Sequence, residues 1–281
     1  MTSTADAAPI TGPAASVARG GALNLIGALV YGACNFVLLI VLNRSLGVRT
    51  AGVIVVAIAL FNIVTTVCGL GTSTGLVRTI SKERATGRVE RLPATVRTAL
   101  GPVLIVSTAV ALGAWFLVEP VTHRFASGSN PEMVPVLRAM IPFIPAATLH
   151  TVVVQATRGF DTMVPQVAIE RIGRALSLPL VVIAAATLDL RPAAVAAAWA
   201  GTNLVALGFS WRALSRRVEA AVAAAPRSPV RRDRAISRAF WAFTAPRAVG
   251  QASEVVVNWM DTVIAGAVLS TTAPGIYAPG T

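Results

Sequence analysis

Five polar side chains fall on one seam of an otherwise apolar segment late in the chain. Arg247, Gln251, Glu254, Asn258 and Asp261 follow one another at steps of 4, 3, 4 and 3 residues. Such steps return to the same side of a helix. The residues between them, Ala248, Val249, Val255, Val256, Val257 and Met260 among them, suit lipid or neighbouring helices. An ionisable group at the centre of a membrane helix costs roughly 2.5–3.5 kcal/mol on insertion scales, so three on one face must line water, pair with one another or meet a ligand. Arg247 and Glu254 stand about 10.5 Å apart along a helix axis, too far for a simple intrahelical pair, so their partners lie on other helices or in a ligand. The plainer alternative is an end effect, with Arg247 and Asp261 near the interfaces and Glu254 alone at depth.

Two earlier segments carry quieter stripes. Asn24, Tyr31 and Asn35 share one helical face, and Asn62, Thr65 or Thr66, Gly69 and Ser73 share another. A single amide in a membrane helix is commonly interhelical glue, whereas several stripes together favour a hydrated central cavity. The histidines are His123 and His150. His150, beside Thr148, Thr151 and Gln155, suits an interhelical hydrogen bond, with proton relay as the sharper alternative. Neither histidine sits in an H-E-x-x-H pattern and no C-x-x-C is present, so a metal site is not expected. Gly71-Thr-Ser-Thr-Gly75 matches the G-x-S-x-G turn of hydrolases, but it follows a long apolar run instead of a strand. It reads better as a small-xxx-small surface for close helix approach. Cys34 and Cys68 lie inside apolar runs, where a thiol behaves as a small hydrophobe.

The elements that must position these residues are membrane helices. Charged residues make up 13% of the 281, against about 25% in soluble domains. Charge-free stretches cover residues 20–43, 50–77, 98–118, 139–157, 175–188 and 192–211. All but the fifth reach the roughly 20 residues that span a bilayer. The fifth is expected to begin near Pro165, with Arg171 and Arg174 snorkelling to the surface. A seventh span is expected over 239–269 and the start of an eighth at Gly275-Ile-Tyr-Ala278. With the N-terminus inside, 18 of the 24 Lys and Arg residues fall in inner segments, which fits the positive-inside rule. The net charge of +12 is therefore largely a topology signal. Nucleic-acid binding is not expected, because no basic cluster alternates with aromatics. The fold class is all-α: a polytopic bundle with a cytoplasmic tail over 1–18, a six-helix lobe over 19–211, a basic cytoplasmic linker over 212–238 and the start of a second lobe over 239–281.

Three stretches carry a family resemblance: Gly69-Leu-Gly-Thr-Ser-Thr-Gly-Leu-Val-Arg78 before a basic loop, Arg158-Gly-Phe160 after the fourth span, and Asp261-Thr-Val-Ile-Ala-Gly266 leading to Gly275-Ile-Tyr277-Ala. In their order and spacing the chain resembles the multidrug/oligosaccharidyl-lipid/polysaccharide exporter superfamily, specifically its bacterial polysaccharide and lipid-linked oligosaccharide flippases. The resemblance implies two six-helix lobes rocking about a central cavity in the inner membrane, of which this chain looks like the first lobe and the start of the second. It implies a lipid-linked oligosaccharide as substrate, with Arg247, Gln251, Asn35 and Asn62 as substrate-binding residues, and Arg247 suited to grip phosphate bidentately. Glu254 and Asp261 are the expected ligands of a coupling Na⁺ or H⁺, and no other cofactor is expected. The alternatives are a multidrug exporter of the same fold, a polytopic glycosyltransferase or acyltransferase, and a non-transporting fragment. The transferase lacks acids or a histidine clustered in a sizeable loop, since the longest loops hold only Glu83 and Glu90, and Glu219 and Asp233.

The charge count makes a direct prediction. A cysteine introduced at Ser228 should resist a membrane-impermeant thiol reagent added to intact cells and react once the membrane is opened. Efficient labelling from outside would invert the topology.

Overall fold

A computed structural model describes residues 13–125, 131–224 and 234–268. The tail residues 1–12, the centre of the expected linker and the eighth helix expected at Gly275–Ala278 lie outside the described residues. The described chain is a helical bundle. In chain order it comprises α1 (Pro13–Leu46), α2 (Val48–Cys68), α3 (Thr72–Ala85), α4 (Leu92–Phe125), α5 (Met133–Met140), α6 (Ile144–Ala156), the short turn α7 (Val164–Gln166), a π-helical segment (Val167–Arg174), α8 (Ala175–Thr187), α9 (Pro192–Ala223) and α10 (Arg234–Val268), with 3₁₀ turns at several junctions. Five of the described helical stretches are long and apolar enough to cross a membrane. Hydrocarbon offers no water to backbone groups, so helices that satisfy them internally are the expected solution.

Helix α2 is the hub. In its most apolar window 67% of residues are buried, against 22% in α1 and in the span that contains α4. On α1, Leu25, Leu29, Phe36 and Ile40 are exposed, and on α4 Ile105, Leu112 and Phe116 are exposed; these faces suit acyl chains. The core divides by depth. One cluster joins Leu38, Leu42, Ile54, Phe61, Met140 and Trp199. The other joins Leu76, Ile80, Leu92, Val103, Val152 and Phe240 at the end where α3 meets α10.

Several expected boundaries shift. The stretch 50–77 is not one helix: it stops at Cys68 and restarts at Thr72, because Leu70 (φ 50°) and Gly71 (φ 68°) turn the chain through the left-handed region. A charge-free count cannot see such a break, since glycine there changes the backbone and not the hydropathy. The fifth span opens with Pro165 in the first turn of α7, where proline's missing N–H has no intrahelical acceptor to lose. Its arginines do not snorkel together. Arg174 keeps 12% of its side chain exposed and pairs with Glu170, while Arg171 donates to the Asn24 carbonyl of α1 at 3.3 Å. Helix α9 continues past Trp211 to Ala223, and α10 begins at Arg234, so much of the stretch expected as linker is helical.

The Gly71–Gly75 pair is a packing surface. A Cβ on Gly71 would lie 2.9 Å from the Thr244 carbonyl oxygen and the Ala248 nitrogen, and one on Gly75 would overlap the Thr244 hydroxyl and approach Phe240 to 3.1 Å. Phe240, Thr244 and Ala248 recur every fourth residue, so α10 lays one ridge across the bare face of α3. Gly159, the centre of the Arg158-Gly-Phe160 stretch, serves α3 similarly: its Cβ would stand 2.7 Å from Ile80 Cβ. Arg84 then closes that end, donating to the Gly159 carbonyl at 3.0 Å and pairing with Asp161 at 2.6 Å.

Overpacking a close helix crossing typically costs about 1–3 kcal/mol. Gly75→Ala should therefore lower the thermal midpoint of the purified protein, whereas Gly32→Ala, whose Cβ meets nothing within 4 Å, should leave it unchanged or slightly raised. Equal midpoints for the two variants would contradict the α3–α10 packing.

Candidate functional site

Between α1, α2, α9 and α10 lies a cavity of about 720 Å³. Its polar lining comes from the stripes: Tyr31 and Asn35 from α1, Asn62 from α2 and Asn258 from α10, joined by Arg174. Leu38, Leu42 and Val55 supply apolar wall from α1 and α2, and Trp199 and Trp259 complete it. The volume lies within the range of about 300–1,000 Å³ usual for small-molecule sites, and the mixed lining suits a polar group with an apolar attachment.

The expected site residues separate. Asn35 and Asn62 both line the cavity. Arg247, Gln251 and Glu254 do not, and Glu254, expected to point into the same groove, is exposed on α10. Asp261 lies on α10, with its side chain outside the described residues. The α10 seam is continuous by angle, but its neighbours change with depth. Along its first half it meets α3, where Gln251 Nε2 donates to Thr74 Oγ1 at 2.8 Å and to Ser73 Oγ at 3.4 Å. Further along it meets the cavity, and Asn258 takes the place expected of Glu254.

Arg247 has its own partner. Its guanidinium carbon stands 3.8 Å from the centroid of Phe243, and that of Arg78 on α3 stands 3.7 Å from the same ring. Two groups that close to one centroid must occupy opposite faces, so Phe243 is a spacer between two cations. Both arginines are exposed, and among the described residues neither forms an ion pair with a carboxylate. Cation–π attraction positions each guanidinium and leaves N–H donors available to an anion.

Behind the cavity wall lies a charge network that the spacing of the sequence did not single out. Glu170, on the π-helical segment, is held from two sides: His150 Nε2 of α6 meets Oε2, and Arg174 Nη1 donates to Oε1 at 2.9 Å. His150 is buried, and its Nδ1 lies 3.0 Å from Ser210 Oγ of α9. A carboxylate only accepts, so in the neutral ring Nε2 carries the proton and Nδ1 accepts from the Ser210 hydroxyl. Three elements are thus tied to one carboxylate. Arg174 reaches from this network to the cavity, with its Cζ 5.4 Å from the Trp199 ring. Its Nε and the Trp199 Nε1 are buried without a hydrogen-bond partner. The available signal was Glu170 and Arg174 at a spacing of four, together with a lone histidine in a neighbouring span. The interhelical bond expected of His150 is present in this network.

No cluster of three or more histidine, cysteine, aspartate or glutamate side chains suited to a metal occurs among the described residues. Ser73, the centre of the hydrolase-like pattern, lies near Gln251 at the α3–α10 crossing. No curated protein and no solved structure matches the chain. The family model described as polysaccharide biosynthesis protein matches residues 17–280, nearly the whole length. The chain is a multi-pass membrane protein of the polysaccharide biosynthesis protein family.

Proposed function

We propose that the protein is a transporter of the flippase or exporter type, and that it moves a lipid-linked oligosaccharide across the bacterial inner membrane by alternating access. The observation that carries this reading is the cavity of about 720 Å³, its apolar lining set with three asparagines, a tyrosine and an arginine, in a bundle whose outer faces are apolar. A sugar-phosphate headgroup needs a wet, hydrogen-bonding enclosure to cross hydrocarbon, while its lipid tail stays among the acyl chains. Asn35, Asn62 and Asn258 offer both donors and acceptors to hydroxyls, and Arg174 offers a positive charge to phosphate.

Arg247 and Gln251, which do not line the cavity, enter this reading as headgroup contacts at the α3–α10 crossing. The Arg78–Phe243–Arg247 stack presents two guanidiniums to one anion, a geometry suited to a diphosphate. Glu254 and Asp261 are the carboxylates of α10 assigned to the coupling cation, Na⁺ or H⁺. Transport, and not bond-making chemistry, is the activity proposed. The N-terminus and the segment between α9 and α10 are assigned to the cytoplasm by their basic residues.

The test is translocation in reconstituted vesicles. Arg247→Ala should abolish flipping with little loss of folded protein, because the side chain is exposed and touches Phe243, its ring and its carbonyl. Arg247→Lys should retain part of the rate, since the charge survives but the bidentate fork does not. Neutralising Glu254 or Asp261 should leave headgroup binding intact and remove dependence on the ion gradient. If all three classes of variant instead lose folded protein in proportion to transport, the residues are structural and the assignment fails.

A further inference from the structure

We propose that the His150–Glu170 pair is a proton-binding site whose occupancy sets the affinity of the cavity for an anion through Arg174. The inference rests on the cavity being an anion site, as read above, and names the group that regulates it. In the unprotonated state Glu170 carries one negative charge and divides its two oxygens between His150 and Arg174. Arg174 is then internally compensated where it meets the cavity. A proton taken up by the pair gives His150 a positive charge, or makes Glu170 a neutral acid. Either form leaves Arg174 as an excess positive charge at the cavity wall. Arg174 and Trp199 both line the cavity, and each also holds a buried N–H, Nε and Nε1, without a hydrogen-bond partner.

The surroundings can hold both protonation states without rebuilding. When His150 is neutral, Nδ1 accepts from the Ser210 hydroxyl; when it is charged, Nδ1–H donates to the same oxygen, and only the hydroxyl hydrogen turns. Of the two partners Glu170 is the more accessible, with 27% of its side chain exposed against 1% for His150.

Among the described residues, the other charges on the elements packed against the pair are exposed or engaged elsewhere: Arg44 of α1 and Arg49 of α2 are exposed, and Arg158, just after α6, donates to Gln155. On the π-helical segment, Arg171 is turned to the Asn24 carbonyl of α1. Helix α8 carries no ionisable residue. From α9, Arg212 and Arg216 are exposed and Arg217 donates to the Ala213 carbonyl. From α3, Arg78 lies on Phe243, Lys82 is exposed, Glu83 pairs with Arg88, and Arg84 pairs with Asp161. From α4, Arg97 is exposed and Glu119 pairs with Arg138.

Linkage makes the coupling reciprocal: if protonation strengthens anion binding, anion binding must draw in a proton. The test is calorimetric titration of the full chain in lipid nanodiscs with UDP-glucose, a diphosphate diester whose phosphates have no titrating oxygen near neutral pH. Comparing buffers of different ionisation enthalpy reads the protons taken up. The wild type should bind with net proton uptake, and its affinity should fall as pH rises, by up to about tenfold per pH unit. His150→Gln should bind with a pH-independent affinity and no uptake, and Arg174→Gln should lose binding. Binding by the wild type without proton uptake would overturn the inference and leave the anion cavity standing. Absence of binding at any pH would remove the anion cavity, and the inference with it. Retention of proton uptake by His150→Gln would also overturn it. Should that variant fail to fold, the wild-type uptake remains decisive, and Ser210→Ala, which withdraws one stabilising oxygen from the charged ring, should move the same transition to lower pH.

Discussion

A carboxylate withdrawn from water carries a desolvation penalty of several kcal/mol that only close opposite charges and hydrogen bonds offset. Glu170 meets that condition through His150 and Arg174, and in doing so fixes how three elements pack. Helix α6 brings His150, the π-helical segment brings both partners of the ion pair, and α9 brings Ser210 to the far side of the imidazole. The wider π turn belongs to the same arrangement, since such segments commonly mark functional positions within helices. Gly27 lets α1 close on this segment, where a Cβ would come within 2.8 Å of Val167 Cγ1. With α1 held there, Tyr31 and Asn35 line the cavity opposite α2 and α10.

The second constraint is the break after α2. Had residues 50–77 formed one straight helix, Ser73 would continue the Asn62 stripe. Instead Leu70 and Gly71 redirect the chain, and α3 offers Gly71 and Gly75 to α10 as a bare surface. The approach is close enough for Gln251 to reach Ser73 and Thr74, and for Phe243 to lie between Arg78 and Arg247. One glycine-bearing turn thus divides the α10 seam into a part that meets α3 and a part that meets the cavity.

Much of this was legible in the sequence, for identifiable reasons. Hydropathy located five spans among the described residues, because a bilayer imposes a length and excludes charge; α8 and α10 are not among those five. Proline at 165 marked the start of the fifth span, and the 71–75 glycines announced a close crossing before the partner was visible. Helical spacing assigned Asn35, Asn62 and Asn258 each to a face. Spacing does not say what a face meets, however, and Glu254 falls on the cavity's side of α10 by angle but away from it by neighbours. Treating every ionisable residue as a span boundary hid Glu170 and Arg174, since a half-buried ion pair breaks the hydropathy count in the same way as an interfacial loop. Only tertiary contact with His150 and Ser210, from two other spans, distinguishes the two cases.

The central claim is that a charged headgroup crosses the membrane inside the cavity between α1, α2, α9 and α10. The most direct measurement is an electron cryo-microscopy structure of the protein in nanodiscs loaded with a lipid-linked oligosaccharide. The account predicts headgroup density in that cavity, with a phosphate oxygen within hydrogen-bonding distance of Arg174 and the polyprenyl tail leaving between helices into lipid. A cavity filled by acyl chains, with the headgroup bound on the outer surface of the bundle, would contradict it.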